Sequence, residues 1–459
     1  MAPQHCDLLI VAGCVLTMNS EREILADGAI AISGNRIMAV GPTRLIEKDW
    51  TAPRRIDAQG GIVHPGFIDG HYHAGLHLSR GSIPDEPGGG TGVFARWMNA
   101  ITDEDEYASA LLAAAELARN GFTGFVDAGT TFCPDAVATA ATAVGIRTSL
   151  ADCMLWDIVG GEPLAADIER APCDGARARR ELGGQLKRNR DPDALARGHV
   201  ALYGSGSASE ELMREATTLA QSAGVVYHQH QSLTTGEAGY DRQRFGKPAM
   251  VHFAERGLIG RNSVFTHMNM LDDAEIEAVA ASGMTLVWHP GNFMYYAISQ
   301  TGRSAFPALH RRGTAVAFGT DIAKAWAFGD LGLIAYLVSK EWGEFLRAEQ
   351  ILEMFTLGGA RAIGRDDLGS LEAGKRADLV IRTFEPPDTQ PNVDIVRQLA
   401  LISRTKAVDT VICNGEIIVR RGRLTRLDET EIYRIAQRSA SATAARAGLK
   451  PPDRWPVIT

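Results

Sequence analysis

The sequence predicts a closed (β/α)8 barrel, the TIM-barrel form of the α/β class, with a small β-sandwich built from both ends of the chain. Eight short apolar runs alternate with helical stretches between residues 66 and 321. Alternating strands and helices of this kind indicate a parallel sheet with its helices outside. At the two ends, apolar residues instead alternate with other residues in short runs that are broken by Gly and Asn. This pattern is typical of antiparallel strands.

The predicted barrel strands are spaced so that a helix fits between most of them. An open doubly wound sheet is the alternative, but no Gly-x-Gly-x-x-Gly follows an early strand. Residues 104–120, 209–223 and 272–282 have apolar side chains every three or four positions, which predicts helices. The eight strands are expected at 66–73, 121–127, 145–150, 199–204, 224–230, 263–267, 285–290 and 314–321.

Four segments follow from this pattern. We expect residues 1–62 and 375–425 to form the two halves of the β-sandwich and residues 63–374 to form the barrel. Residues 426–459 are expected to form a closing helix and a Pro-rich tail.

Histidine or aspartate side chains close five of the predicted strands. His71 and His73 are spaced i, i+2 on the first strand, so both side chains point to the same face. By itself this pair is weak evidence for a metal site, because two partly exposed histidines at a strand end would explain it. The later strands, however, end at His228 and His230, at His267, at His289 and at Asp321. Because barrel enzymes keep their chemistry at the carboxyl ends of the strands, these side chains predict a catalytic metal site for zinc, iron, manganese or cobalt.

Charge and cysteine content limit the possible partners. The chain of 459 residues has a formal net charge of −8, which gives no reason to expect nucleic acid. Six scattered cysteines lack paired or zinc-finger spacing, as expected for a reducing cytoplasm. The apolar run at 8–18 has no basic flank and contains Gly13, so we expect a strand there and not a signal peptide.

The order of these motifs resembles the amidohydrolase superfamily, within it the cytosine-deaminase and triazine-hydrolase branch. The resemblance implies that one divalent metal, zinc in the first place, is held by His71, His73, His230 and Asp321. It also implies that Asp321 and His267 are catalytic, with His267 a ligand if a second ion binds. His230 is preferred to His228 on resemblance alone, because both should point inward. The motifs that carry the resemblance are 65–73, Arg80-Gly81, His230, His267, 319–321 and 369–379.

One position departs from this family pattern. Deaminases of the branch carry a glutamate three residues after the fifth-strand histidine, where this chain has Leu233. Leucine cannot protonate a heterocycle, and Glu237 could replace the acid only if the loop were shifted. We therefore predict that metal-activated water cleaves the C–N or thiocarbamate acyl bond of an N-aryl or N-alkyl urea, carbamate or thiocarbamate. The alternative is an aminohydrolase, a deaminase or dechlorinase, acting on a purine, pyrimidine or triazine ring.

The nearest resemblance at this level is to bacterial phenylurea hydrolases and molinate hydrolase, which share the chain length and the missing glutamate. Aromatic side chains near the strand ends would suit an N-aryl substrate, although ordinary packing explains each of them equally well. We expect a cytoplasmic homo-oligomer that binds a small-molecule substrate and neither nucleic acid nor membrane. The candidate substrate-binding residues are Trp97, Trp156, His289, Asn292 and Trp326.

Overall fold

A parallel eight-stranded barrel forms the centre of the molecule, so the predicted fold class is confirmed. The computed structural model describes residues 3–82, 90–160, 168–302, 304–322, 326–402, 405–450 and 455. Each barrel strand lies within two or three residues of its predicted position. The strands are Phe67–Tyr72, Phe122–Asp127, Arg147–Leu150, Ala196–Gly198 continued by Val200–Gly204, Tyr227–Gln231, Ser263–His267, Thr285–Trp288 and Ala315–Phe318.

Two local features close the barrel. The fourth strand is interrupted at His199, so that Ala196–Gly198 pairs with the third strand and Val200–Gly204 pairs with the fifth. At the other seam a parallel bridge joins Tyr72 to Asp321 and connects the first strand to the eighth. All pairings within the barrel are parallel, which brings the carboxyl ends of all strands to one rim.

Helices cover the outside of the barrel and occupy the segments between strands. Asp272 caps the helix Asp273–Ser282 and forms a capping box with Glu275, as its position before an apolar-periodic run predicts. The other helices of the barrel are Gly90–Ala100, Asp103–Arg119, Pro134–Val144, Gly175–Glu181, Glu210–Ala223, Thr235–Phe245, Ala249–Glu255, Pro290–Tyr295, Phe306–Arg311, Leu331–Glu341, Ala348–Glu353 and Gly359–Ala362.

Both ends of the chain contribute to one nine-stranded sheet beside the barrel. The two ends meet where Ile62–Pro65 pairs antiparallel with Leu379–Arg382. A buried ion pair between Arg147 and Asp378, with Nε and Oδ2 2.7 Å apart, ties the sheet to the third barrel strand. The remaining strands of the sheet are Leu8–Leu16, Ile24–Ser33, Arg36–Pro42, Arg54–Asp57, Val408–Cys413, Glu416–Arg420 and Arg423–Leu424.

The helix Glu429–Arg446 follows this sheet and packs on Asp103–Arg119. Ser439 donates a hydrogen bond of 2.5 Å to Asp105, which is also paired with Arg446. Apart from Trp455, the tail predicted after residue 450 lies outside the described residues. Among the residues that the structure describes, no helix combines the length and apolar character needed to cross a membrane.

Candidate active site

Three histidines from two barrel strands converge at the carboxyl rim. One ring nitrogen from each of His71, His73 and His230 lies within 4.8 Å of the other two. The Nε2 atoms of His71 and His73 are 3.3 Å apart, and all three side chains are buried. Imidazole nitrogens held this close together and away from water form a geometry suited to one metal ion.

A carboxylate at the seam between the first and eighth strands lies beside the group. Asp321 Oδ1 lies 2.8 Å from His73 Nε2, and Asn292 donates its amide to the other oxygen, Oδ2. Asp321 itself has φ of +62°, a left-handed conformation that costs a non-glycine residue about 1 kcal/mol or more. Backbone strain of this kind persists where the surrounding contacts over-determine a functional conformation.

Neighbouring groups orient two of the imidazoles. The Nδ1 atom of His230 donates to the carbonyl oxygen of Tyr203 at 2.8 Å, so its Nε2 carries no proton and can bind a metal. His73 Nδ1 lies 2.7 Å from the hydroxyl of Thr130. Neither Thr130 nor Tyr203 was predicted from the sequence, although each stands at or just beyond the end of a barrel strand.

Burial keeps the imidazoles of His71 and His230 neutral. It lowers the pKa of His71 well below the usual value, and the surrounding histidines lower it further. Burial, and then the neighbouring His73, lower the pKa of His230 to about 3. A metal binds the neutral form of imidazole, so at neutral pH no proton has to leave these two rings before a metal is bound.

Two further histidines lie beside this group. The ring centres of His267 and His289 are 5.0 Å apart, and that of His71 lies 5.0 Å from His289. Burial lowers the pKa of His267 well below its usual value. His289 donates from Nδ1 to the carbonyl of Gly319 at 2.8 Å, so its Nε2 accepts from the hydroxyl of Thr266. Both nitrogens of His289 are therefore engaged by the protein.

The structure separates His228 from His230. Both are inward-facing on the fifth strand, as predicted, but His228 lies one layer deeper in the barrel. Its Nε2 donates to the carbonyl of Ala362 at 2.9 Å, and its ring centre is 4.8 Å from that of His199. Only His230 joins the group formed by the first-strand histidines.

The predicted aromatic residues differ in their distance from this group. Tyr203 lies between Trp156 and His230, with ring centres 5.1 Å and 5.0 Å away respectively. Trp97 is fully buried in an apolar cluster that includes Trp156 and Ile322, the neighbour of Asp321. This cluster forms an apolar wall beside the strand ends.

Trp326 lies on another side of the rim. Its ring packs so closely on Gly291 that a Cβ at this glycine would come within 2.5 Å of it. Its ring centre is 6.1 Å from that of Tyr295. Trp326 therefore covers the helix Pro290–Tyr295, which carries Asn292.

The loop after the fifth strand is held by Glu237. The carboxylate of Glu237 accepts the backbone N–H groups of Ser232 and Leu233 at 2.7 and 2.8 Å. Leu233 is partly buried and packs against the main apolar core. Glu237, the candidate replacement for the missing acid, is thus used to fix the backbone of this loop.

Similarity to known proteins shows which family the chain belongs to. Residues 62–418 match the amidohydrolase family. The chain belongs to this family. Its membership of this family, its similarity to a zinc-bound structure at 25% identity and its His71–His73–His230 site make it a metal-dependent hydrolase that acts on carbon–nitrogen bonds other than peptide bonds. One divalent metal per subunit, zinc in the first place, agrees with both observations.

Several deaminases are similar to this amidohydrolase over nearly their whole length. A 5-methylthioadenosine/S-adenosylhomocysteine deaminase from Syntrophobacter fumaroxidans is 30% identical, with 94% of this chain and 97% of the relative covered. A 5'-deoxyadenosine deaminase from Methanosarcina mazei is 28% identical, with 96% and 99% covered. A zinc-bound adenosine deaminase structure from Xanthomonas campestris has a TM-score of 0.83 and 25% identity, covering 97% of this chain and all of that one.

Other solved structures support the fold. The zinc complex of the atrazine chlorohydrolase TrzN from Arthrobacter aurescens has a TM-score of 0.83 at 23% identity, with 94% of this chain and all of that one covered. At this identity the similarity shows the shared fold and no shared substrate.

These findings correct the predicted reaction. The prediction that the enzyme cleaves a urea, carbamate or thiocarbamate is wrong, because relatives that match over nearly their whole length are named as deaminases of adenosine-type nucleosides. The resemblance to phenylurea and molinate hydrolases is likewise unsupported. That prediction depended on one position, Leu233, whereas the chain as a whole is similar to deaminases. The alternative prediction, an aminohydrolase, agrees with the relatives.

Proposed function

We propose that this amidohydrolase is a purine aminohydrolase that replaces the exocyclic amine of an adenosine-type nucleoside with oxygen and releases ammonia. The observation that carries the proposal is the similarity to nucleoside deaminases over more than nine-tenths of the chain. The convergence of imidazoles and a carboxylate at the barrel rim supports it. The nucleoside class follows from the names of the relatives, and the rim geometry supplies the hydrolytic groups.

We assign His71, His73, His230 and Asp321 as the residues that hold the metal. A bound zinc ion would lower the pKa of its water ligand to about 7 and so supply hydroxide at neutral pH. Thr130 and the Tyr203 carbonyl orient two of the imidazoles. Such outer contacts raise metal affinity by fixing the ligand nitrogens before the ion arrives.

We assign the proton transfers to Asp321, with His267 beside it. The carboxylate of Asp321 takes one proton from the attacking water to the ring nitrogen and then moves the proton of the new hydroxyl group to the departing amine, which leaves as ammonia. The amide of Asn292 fixes Oδ2 and so limits rotation of this carboxylate. Because Leu233 cannot supply a proton and Glu237 is bound to backbone N–H groups, we assign the transfer to the ring nitrogen to Asp321 as well.

Among the predicted tryptophans, Trp156 packs on Tyr203; Trp156 is itself fully buried, so the partly exposed Tyr203 presents the aromatic surface beside His230. A purine would pack on such a surface. Trp97 and Trp326 support the walls behind it. His289 and Asn292 already use polar atoms on protein groups, so we assign them to supporting the site. The homo-oligomer and the cytoplasmic location stay predictions.

Ammonia release tests this proposal. The zinc-loaded enzyme is incubated with adenosine, 5'-deoxyadenosine, 5'-methylthioadenosine and S-adenosylhomocysteine, and the products are identified by mass spectrometry as inosine-type nucleosides. Asp321→Asn serves as the matched inactive control. We expect at least one nucleoside to be deaminated by the native enzyme, at a rate about 10²-fold or more above the control. Metal-loaded enzyme that deaminates none of the four would overturn the proposal.

A further inference from the structure

A small polar cavity lies at the amino end of the barrel, opposite to the metal site. It is bordered by the starts of the third, fourth and fifth strands and by the segment that follows the helix Gly359–Ala362. Its volume is about 40 Å³. One water molecule needs about 10–15 Å³ on this measure, so the cavity has room for a few waters or for one small ion. Its polar and charged lining comes from Arg147, Thr148, Ser149, Asn189, Arg197, His199 and Arg365.

Three lining residues have buried polar atoms without a hydrogen-bond partner among the described residues. These atoms are Arg147 Nη1, Thr148 Oγ1 and His199 Nε2. The other donors of Arg147 are used on Asp378 and Asn414, so Nη1 is the one left over. A guanidinium nitrogen only donates, and leaving a buried donor unsatisfied costs about 1–3 kcal/mol. The cavity therefore needs an occupant that accepts hydrogen bonds.

The charges around the cavity are unbalanced toward positive. Arg147 is paired with Asp378, and Arg365 is paired with Asp367. Arg197 forms no ion pair within the described part of the chain, where its guanidinium contacts only Asn189 and the Pro192 carbonyl, at 3.3 and 3.2 Å. Burial, followed by the neighbouring Arg365, lowers the pKa of Arg197. A negative charge inside the cavity would relieve this repulsion.

The lining also excludes other kinds of occupant. No carboxylate or thiolate borders the cavity among the described residues, so it offers no site for a cation. The volume of about 40 Å³ is far too small for a nucleoside. What remains is water or an anion of a few atoms, and a guanidinium without an ion pair favours the anion.

We propose that this cavity binds one small inorganic anion, either chloride or a compact oxyanion such as phosphate. The anion accepts from Arg147 Nη1 and neutralises Arg197. Because Arg147 also binds Asp378 in the terminal sheet, the anion links the barrel floor to that sheet. Its effect is therefore on stability, and the proposal does not depend on the substrate of the enzyme.

Thermal unfolding at constant ionic strength tests the proposal. The reference salt is sodium gluconate, whose anion is too large for the cavity, and it is replaced stepwise by sodium chloride or sodium phosphate. We expect at least one of the two small anions to raise the Tm of the native enzyme by about 2 °C or more, with saturation. Arg197→Gln should abolish the shift. Arg190→Gln, an exposed arginine outside the cavity lining, is the matched control and should retain it.

A second measurement does not depend on how the variant folds. One set of crystals of the native enzyme is soaked in sodium bromide and measured at the bromine absorption edge. A second set is soaked in sodium phosphate. An anomalous peak within hydrogen-bond distance of Arg147 Nη1 is expected for a halide site, and tetrahedral density at the same place is expected for phosphate. Ordered water alone in the cavity under both soaks, or equal Tm values in gluconate, chloride and phosphate, would overturn the proposal.

Discussion

His73 Nε2 and Asp321 Oδ1 lie 2.8 Å apart although 248 positions separate them in the chain. Their strands also meet at the parallel bridge between Tyr72 and Asp321. Closing the barrel and assembling the site are therefore the same event. A partly formed barrel would hold the imidazole pair of the first strand without its carboxylate.

Metal content distinguishes the two histidines of the fifth strand. His230→Asn should lose most of its zinc on dialysis, because only two of the three clustered imidazoles remain. His228→Asn is the matched control and should retain about one equivalent per chain, since His228 binds the Ala362 carbonyl. Elemental analysis after gel filtration measures both variants. Full metal occupancy in His230→Asn would contradict the ligand assignment.

Asp321→Asn separates metal binding from proton transfer. The amide can still offer an oxygen to the metal but cannot carry a proton, so part of the zinc should remain. We expect kcat for ammonia release to fall by about 10²-fold or more, the size of a lost general acid and base. Steady-state kinetics and elemental analysis on the same preparation check this. Activity near that of the native enzyme would mean that another group moves the proton.

Thr130 provides a test of how His73 is oriented. Thr130→Val keeps the shape of the side chain but removes the hydroxyl that lies 2.7 Å from Nδ1. We expect zinc affinity to fall by about 10- to 100-fold, as for other outer contacts of metal ligands. Competition with a chromogenic chelator measures the affinity. Thr139→Val, on an exposed helix position, is the control and should leave it unchanged.

Leu233 is expected to limit the rate of ring deamination. Leu233→Glu places a carboxyl where related deaminases carry their ring-protonating acid, so ammonia release from the best nucleoside should rise by about tenfold or more. Leu233→Gln adds polarity without a titrating group and serves as the matched control. Initial rates of both variants decide the matter, and equal rates would show that an acid at this position has no role.

His228 should make the fold sensitive to acid. Burial lowers its pKa from 6.5 to about 4, so between these values the unfolded chain takes up a proton that the folded chain does not. Its contribution to stability is therefore complete above pH 6.5 and is lost as the pH falls toward 4. The free energy of unfolding should drop by about 1.4 kcal/mol per pH unit from this group. In urea titrations, His228→Asn should have a shallower pH slope; an unchanged slope would argue against this role.

The sequence by itself determined the architecture and the pool of possible ligands. Apolar runs that end on His or Asp place the barrel strands within a few residues of their observed positions, because burial of alternating strands and helices leaves few solutions. The period of two along a strand also predicts correctly that His228 and His230 face inward. This periodicity carries no information on how deep each side chain lies in the barrel. It therefore could not decide which of the two histidines joins the metal site.

Tertiary structure decided which of these side chains meet. His230 rather than His228 joins the first-strand pair, since the floor of the barrel is occupied by the Ala362 carbonyl, which comes from a distant segment. Asn292, which the sequence places near the site, donates its amide to Asp321. Such contacts depend on the register of separate strands and on the loops after them. Local periodicity therefore specifies the direction of a side chain, whereas its partner is set only when the barrel closes.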